Sequence, residues 1–188
     1  AFGAEQLHAS GELERVQDAH ARHFVRFATE VDSDIRGRGQ LDAMKRAQAE
    51  GANTLAALHW LEGRARSGDA GAVEDGLLMC GYLCWPWHIH GLHLTGSNLV
   101  DGFLPHVQGT APSRGRARAR ITAAMMKGST GDWAAASEAA NGAYEDGLSL
   151  AEEAIAGEAA LHQGYIHLSQ GRLDEAGRAL EDSVTRSE

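Results

Sequence analysis

The chain is predicted to be all-α, about eight helices stacked as helical hairpins, and three observations carry that prediction. The first is self-similarity at a fixed period. The stretch GYIHLSQGRLDEAGRALEDSV, residues 164–184, has a counterpart forty residues upstream at 124–137 around Gly131, and a third turn glycine follows at Gly91. The second is the pattern around each turn. Two residues after the glycine sits His93, Trp133 or Leu173, three further on a small Gly96, Ala136 or Ala176, then Val100, Ala140 or Leu180, then Phe103, Ala143 or Ser183. The third is that apolar residues recur at helical spacing, while no alternating run of strand type is found. One hairpin cannot bury its own apolar face, so repeats of this kind stack and share a core.

Each element follows from local signals. Residues 1–10 lack periodicity and are expected to fray. A helix is predicted from about Gly11 to Glu30 on the stripe Leu13, Val16, His20, Phe24 and Phe27. Residues 32–39 read as a polar linker broken by Gly37 and Gly39. One long helix is predicted over 40–65, using Leu41, Met44, Leu55, Leu58 and Leu61, and residues 67–71 close it. An apolar helix then covers 72–84 until Trp85-Pro86-Trp87 ends or kinks it, because proline lacks a donor and clashes with the preceding turn. Its partner covers 94–104 and stops at Pro105; 108–113 is a loop in which Pro112 favours the next helix start. Helices over 113–127, 132–147, 149–170 and 173–186 complete the chain. Together these make one helical domain over residues 1–188, with 11–66 a leading helix pair and 69–188 the hairpins of about 40-residue period.

Bulk composition narrows the function classes. A length of 188 residues suits one domain with a sizeable core. A formal net charge of −9 opposes general nucleic-acid binding, which needs cations against phosphate. Cys80 and Cys84 lie one helical turn apart, which is no disulfide framework and points to a reducing, cytoplasmic setting. No run approaches a membrane span and no signal segment opens the chain. The chain begins at Ala1, which raises the expectation that it is part of a longer protein.

The last hairpin, with a small Gly164, turn glycine Gly171 and following Ala176, resembles a tetratricopeptide repeat (TPR), although its spacing departs from 34 residues and no proline closes it. The expected architecture is therefore a TPR-like α-solenoid with longer helices. The segment EGANTLAALHW (Glu50, Asn53, Leu55, Ala56, Ala57, Leu58, Trp60) resembles the stretch preceding the helical repeats of large bacterial regulators of the LuxR and AfsR type, and Leu77 to Trp87 followed by Gly91 is similar to their continuation. Those are signal-transduction NTPases with nucleotide-binding, repeat and DNA-binding parts. The resemblance implies that this chain is the repeat or sensor region of such a transcriptional regulator. It would bind a protein, peptide or small effector, work through neighbouring domains, and be compatible with a homodimer. No GxxxxGK[ST] loop and no helix-turn-helix is present, so no nucleotide, nucleic acid or other cofactor is expected on these residues.

Cys80, Cys84 and His88 fall at i, i+4 and i+8, a spacing that places soft-metal ligands on one helix face unless Pro86 breaks the register. This supports an alternative, a metal- or small-molecule-binding helical enzyme centred on Trp85–His93; buried thiols acting as small hydrophobes are the simpler reading. Arg114, Arg116, Arg118 and Arg120 read as a solvated helix start with ion pairs to acidic neighbours. Glu152, Glu153 and Glu158 read as surface, and no nucleophile elbow or catalytic residue is expected. In TPR-like stacks the first helix of each hairpin lines the concave face. The face carrying Glu158, Leu161, Tyr165 and Leu168, its forty-residue equivalents Arg118, Ile121 and Met125, and then Leu78, Trp85 and His88 form the candidate binding surface. The same spacing also fits an ordinary core stripe.

Overall fold

The computed structural model of the chain describes residues 12–187. Among these are ten α-helices, one short 3₁₀ helix and no strand, so the all-α expectation holds and the count exceeds eight. The helices are α1 (Leu13–Ile35), α2 (Gln40–Ala49), α3 (Gly51–Arg66), α4 (Ala70–Tyr82), α5 (Cys84–Ile89), α6 (His93–Phe103), α7 (Arg114–Ser129), α8 (Trp133–Ser149), α9 (Glu153–Ser169) and α10 (Leu173–Ser187). The 3₁₀ helix Leu104–Val107 follows α6 and contains Pro105. The expected fraying of residues 1–10 and the helix start at Gly11 lie outside the described residues. Among the described residues no helix is long and apolar enough to cross a membrane.

The two extra helices come from two breaks. The expected helix 40–65 divides at Glu50, just before Gly51, the residue least committed to helical dihedrals after proline. The apolar helix breaks at Leu83, earlier than the Trp-Pro-Trp stretch itself. Pro86 cannot donate to the Tyr82 carbonyl and its ring crowds it, so the last regular turn ends at Tyr82. α1 runs five residues past Glu30 into the expected linker, with Val31 and Ile35 buried and Asp32 only 8% exposed. The expected helix start at Ser149 moves to Glu153, because Leu150–Glu152 form the turn between α8 and α9.

The forty-residue period is carried by the second helices, which begin at His93, Trp133 and Leu173. Each follows a glycine with positive φ: 69° at Gly91, 85° at Gly131 and 74° at Gly171. That region is open to glycine at little cost, which is why this residue marks all three turns. Asp132 and Ser113 cap α8 and α7 by accepting from the Ala135 and Arg116 backbone N–H groups at 3.1 Å.

Packing follows chain order. α1 lies on α2, α3 and α4; α4 on α6 and α7; α7 on α6, α8 and α9; α9 on α8 and α10. Phe24, Leu58, Leu77, Met79, Trp87 and Phe103 dominate one large cluster. Two smaller clusters rest mainly on small side chains, one around Ala117, Ala143 and Ala159 with Ile121 and Ile155, the other around Ala124, Ala136 and Ala140 with Ile166. A Cβ on Gly147 of α8 would stand 2.7 Å from the Ala156 backbone nitrogen of α9, so only glycine permits this approach.

Candidate functional site

The break at Leu83 orients α5. Cys84 and Trp87 turn into the core, while Trp85 is 36% exposed and His88 is half-buried beside it. Across from α5 stand Met125 of α7, Trp133 at the start of α8, and Leu161, His162 and Tyr165 of α9. These residues line one pocket of about 400 Å³. Trp85 also borders a second pocket of about 480 Å³, lined by Ile35, Arg36, Gln40, Leu41, Met44 and Ile89. The two pockets meet at this indole, giving a groove that runs from the end of α1 and α2 to α9.

Between α1, α7 and α9 lies a charge cluster. Arg36 reaches Asp32 and Glu158, each at 3.3 Å, and Arg118 stands 3.6 Å from Asp32 and 3.9 Å from Glu158. The Arg118 guanidinium sits 5.5 Å from the Tyr82 ring centroid, within cation–π range, and its buried Nε has no hydrogen-bond partner among the described residues. The Arg36 guanidinium is held above its ordinary value by the Glu158 and Asp32 carboxylates, against the opposing effect of burial. Opposite charges cancel here, so this part of the groove offers no net attraction to an ion.

Of the ten residues expected on the binding surface, Trp85, His88, Met125, Leu161 and Tyr165 come together around the first pocket. Arg118 and Glu158 meet in the charge cluster, so Glu158 belongs to a buried ion network and not to the open surface, its side chain 16% exposed. Ile121 is a core residue, 3% exposed among Ala117, Ala143 and Ile155, because α8 and α9 close over it. Leu78 is half-buried and lines neither pocket, and Leu168 is exposed on α9 beyond the lining. Sequence reasoning missed Trp133 and His162 in the first pocket and Asp32 and Arg36 beside it. Trp133 had been marked by its fixed place after the turn glycine, and that was the available signal.

The arginine series also differs from expectation. Residues two apart on a helix point to nearly opposite sides, so the four divide into two pairs. Arg114 reaches Glu152 at 3.6 Å on the side of Arg118. Arg116 and Arg120 converge on Asp146 of α8: Arg116 Nε donates at 3.0 Å and Nη2 at 2.6 Å in a two-pronged pair, and Arg120 Nη1 donates at 2.8 Å. Arg116 is only 7% exposed and also donates to the Thr110 carbonyl at 2.8 Å. The ion pairs are present, but three of the four arginines are structural and the start of α7 is not a solvated basic patch.

The Cys80, Cys84 and His88 set does not converge on a metal. Both thiols are buried, Cys84 Sγ packs 3.6 Å from Met125 Sδ, and burial pushes the Cys84 thiol up to about 12 and that of Cys80 further still. A thiol so reluctant to ionise is a poor ligand. Among the described residues no group of three or more His, Cys, Asp or Glu side chains is placed to hold a metal ion. His88 and His93 have ring centroids 5.2 Å apart, and desolvation, followed by the charge of His93, lowers the His88 value. No family model, curated protein or solved structure matches the chain.

Proposed function

We propose that this chain is a non-catalytic, TPR-like interaction region that binds a protein, peptide or small effector along the groove joined at Trp85. The observation that carries the reading is the pair of adjoining pockets sharing that indole, one walled by α1, α2 and α5 and the other by α5, α7, α8 and α9. Their walls combine Trp, Tyr, Met and Leu, with Arg36 of the adjoining ion cluster at the second pocket, the mixture that favours recognition by apolar anchors. A solenoid architecture is supported by the order of packing, in which α1, α4, α7 and α9 contact one another in sequence and each carries its partner helix. Membership in a LuxR/AfsR-like regulator in the cytoplasm is proposed on the Glu50–Trp60 and Leu77–Gly91 stretches. The effector would then act by biasing the arrangement of neighbouring domains.

A peptide library selected on immobilised protein, together with a small-molecule binding screen, tests the interaction reading. Ligands lost on Trp85→Ala, with the circular dichroism spectrum unchanged, are the expected result. No ligand of either kind, or ligands indifferent to Trp85, would overturn it. The regulator assignment is tested separately by the reading frame of the parent gene: a phosphate-binding loop upstream is expected, and a complete gene coding only for this domain would remove the assignment.

A further inference from the structure

The pocket between α5, α7, α8 and α9 supports a narrower inference, one that rests on the interaction reading above. Rings from three helices border it: Trp85, Trp133 and Tyr165. Among the described residues that line it, none is Lys, Arg, Asp or Glu. Its two serine hydroxyls are already engaged, Ser129 donating to the Met125 carbonyl at 2.8 Å and Ser169 to the Tyr165 carbonyl at 2.9 Å. Ser129 has one proton to give, so in its 3.4 Å contact with His88 the imidazole Nδ1–H is the donor.

The most deeply buried polar side chain in the wall is His162. It is 7% exposed and lines the cavity. A neutral imidazole has one donor and one acceptor nitrogen, so at a cavity wall it can hydrogen-bond a molecule that enters. We propose that this pocket takes a small, uncharged, planar aromatic molecule, held among Trp85, Trp133 and Tyr165 and hydrogen-bonded to the His162 imidazole. The volume of about 400 Å³ falls in the range of small-molecule sites. A charged ligand would be desolvated with no countercharge on the wall. Burial lowers the values of both His88 and His162, so both rings are neutral near pH 7 and do not supply one.

The test is calorimetric titration of the intact chain with 2-naphthol, naphthalene and 2-naphthoate. 2-Naphthol is expected to bind one to one, and 2-naphthoate at least about tenfold more weakly. His162→Phe is expected to weaken 2-naphthol about tenfold while leaving naphthalene within about twofold. Tyr165 is 54% exposed, so Tyr165→Ala keeps the fold testable should the His162 variant not fold, and it weakens both neutral probes. Equal binding of the phenol and the carboxylate, or indifference to Tyr165→Ala, would overturn the assignment. Groove-directed peptides without any 2-naphthol binding would overturn this assignment alone, whereas neither kind of ligand would overturn the interaction reading as well.

Discussion

The two halves of the molecule hold their helices together in different ways. From α1 to α6 the contacts are made by Phe24, Leu58, Leu77, Trp87 and Phe103, large side chains that fill the space between helices set apart. From α7 to α10 alanine and glycine take over, and backbones approach until Gly147 can carry no side chain against Ala156. Each alanine removes little apolar area from water, so the second half depends more on shape and on buried charge. Asp146 accepting from both Arg116 and Arg120, and Arg186 bridging Asp182, Glu153 and Tyr144, are its main polar ties. The groove draws on both halves: Trp85 projects from the bulky one, Trp133 and Tyr165 from the lean one.

If this contrast is right, the largest loss comes from breaking charge in the lean half. Asp146→Ala leaves Arg116 buried and unpaired and is expected to cost about 4 kcal/mol in urea unfolding. A well-packed apolar replacement of both partners, Arg116→Met with Asp146→Leu, is expected to recover most of that loss. A single-variant cost below about 1 kcal/mol would show that alanine packing alone holds α7 to α8. Gly147→Ala comes next, at about 2 kcal/mol, since the added carbon meets rigid backbone on α9. Thermal melts of this variant test whether the close approach is obligatory. An unchanged melting point would mean that α8 and α9 can separate freely.

What could be read in advance follows the same division between local and distant causes. The turn glycines and the starts of α6, α8 and α10 were legible because a glycine with positive φ, joined at α8 by the capping Asp132, acts within a few residues. The break near Pro86 was legible for the same reason. Asp32 was not: as a charge beside Gly37 and Gly39 it reads as linker, and it is buried only because Arg118, far along the chain, comes to meet it. Arg116 was misread likewise, its partner Asp146 lying on the next helix. On the groove, spacing named five residues that line the first pocket but could not tell which turns the neighbours cover. Ile121 lies under α8 and α9, while Leu161, one period on, stays at the pocket wall.

Tyr165→Ala, at an exposed position, is expected to change stability by less than about 0.5 kcal/mol while weakening groove ligands, which separates binding from packing in the lean half. The finest test of the contrast is the response of that half to mild acid. His162 is buried and held below its ordinary value of 6.5, chiefly by desolvation; Glu158 raises it and His88 lowers it further. The unfolded chain takes up this proton near 6.5 and the folded chain only below that, so the contribution is fully present above 6.5 and is lost as pH falls towards the depressed folded value. The lowered carboxylates Asp69 and Asp182 lose their contribution in a separate, more acidic window below their ordinary 3.8. Unfolding followed from pH 7.5 to 5 is therefore expected to show a decline that flattens, in part, in His162→Phe. The decline does not vanish, because His88 and His167 are lowered by desolvation too. Superimposable pH profiles for the variant and the parent would mean that the His162 ring protonates without penalty, and the wall of the first pocket would then be able to carry a charge.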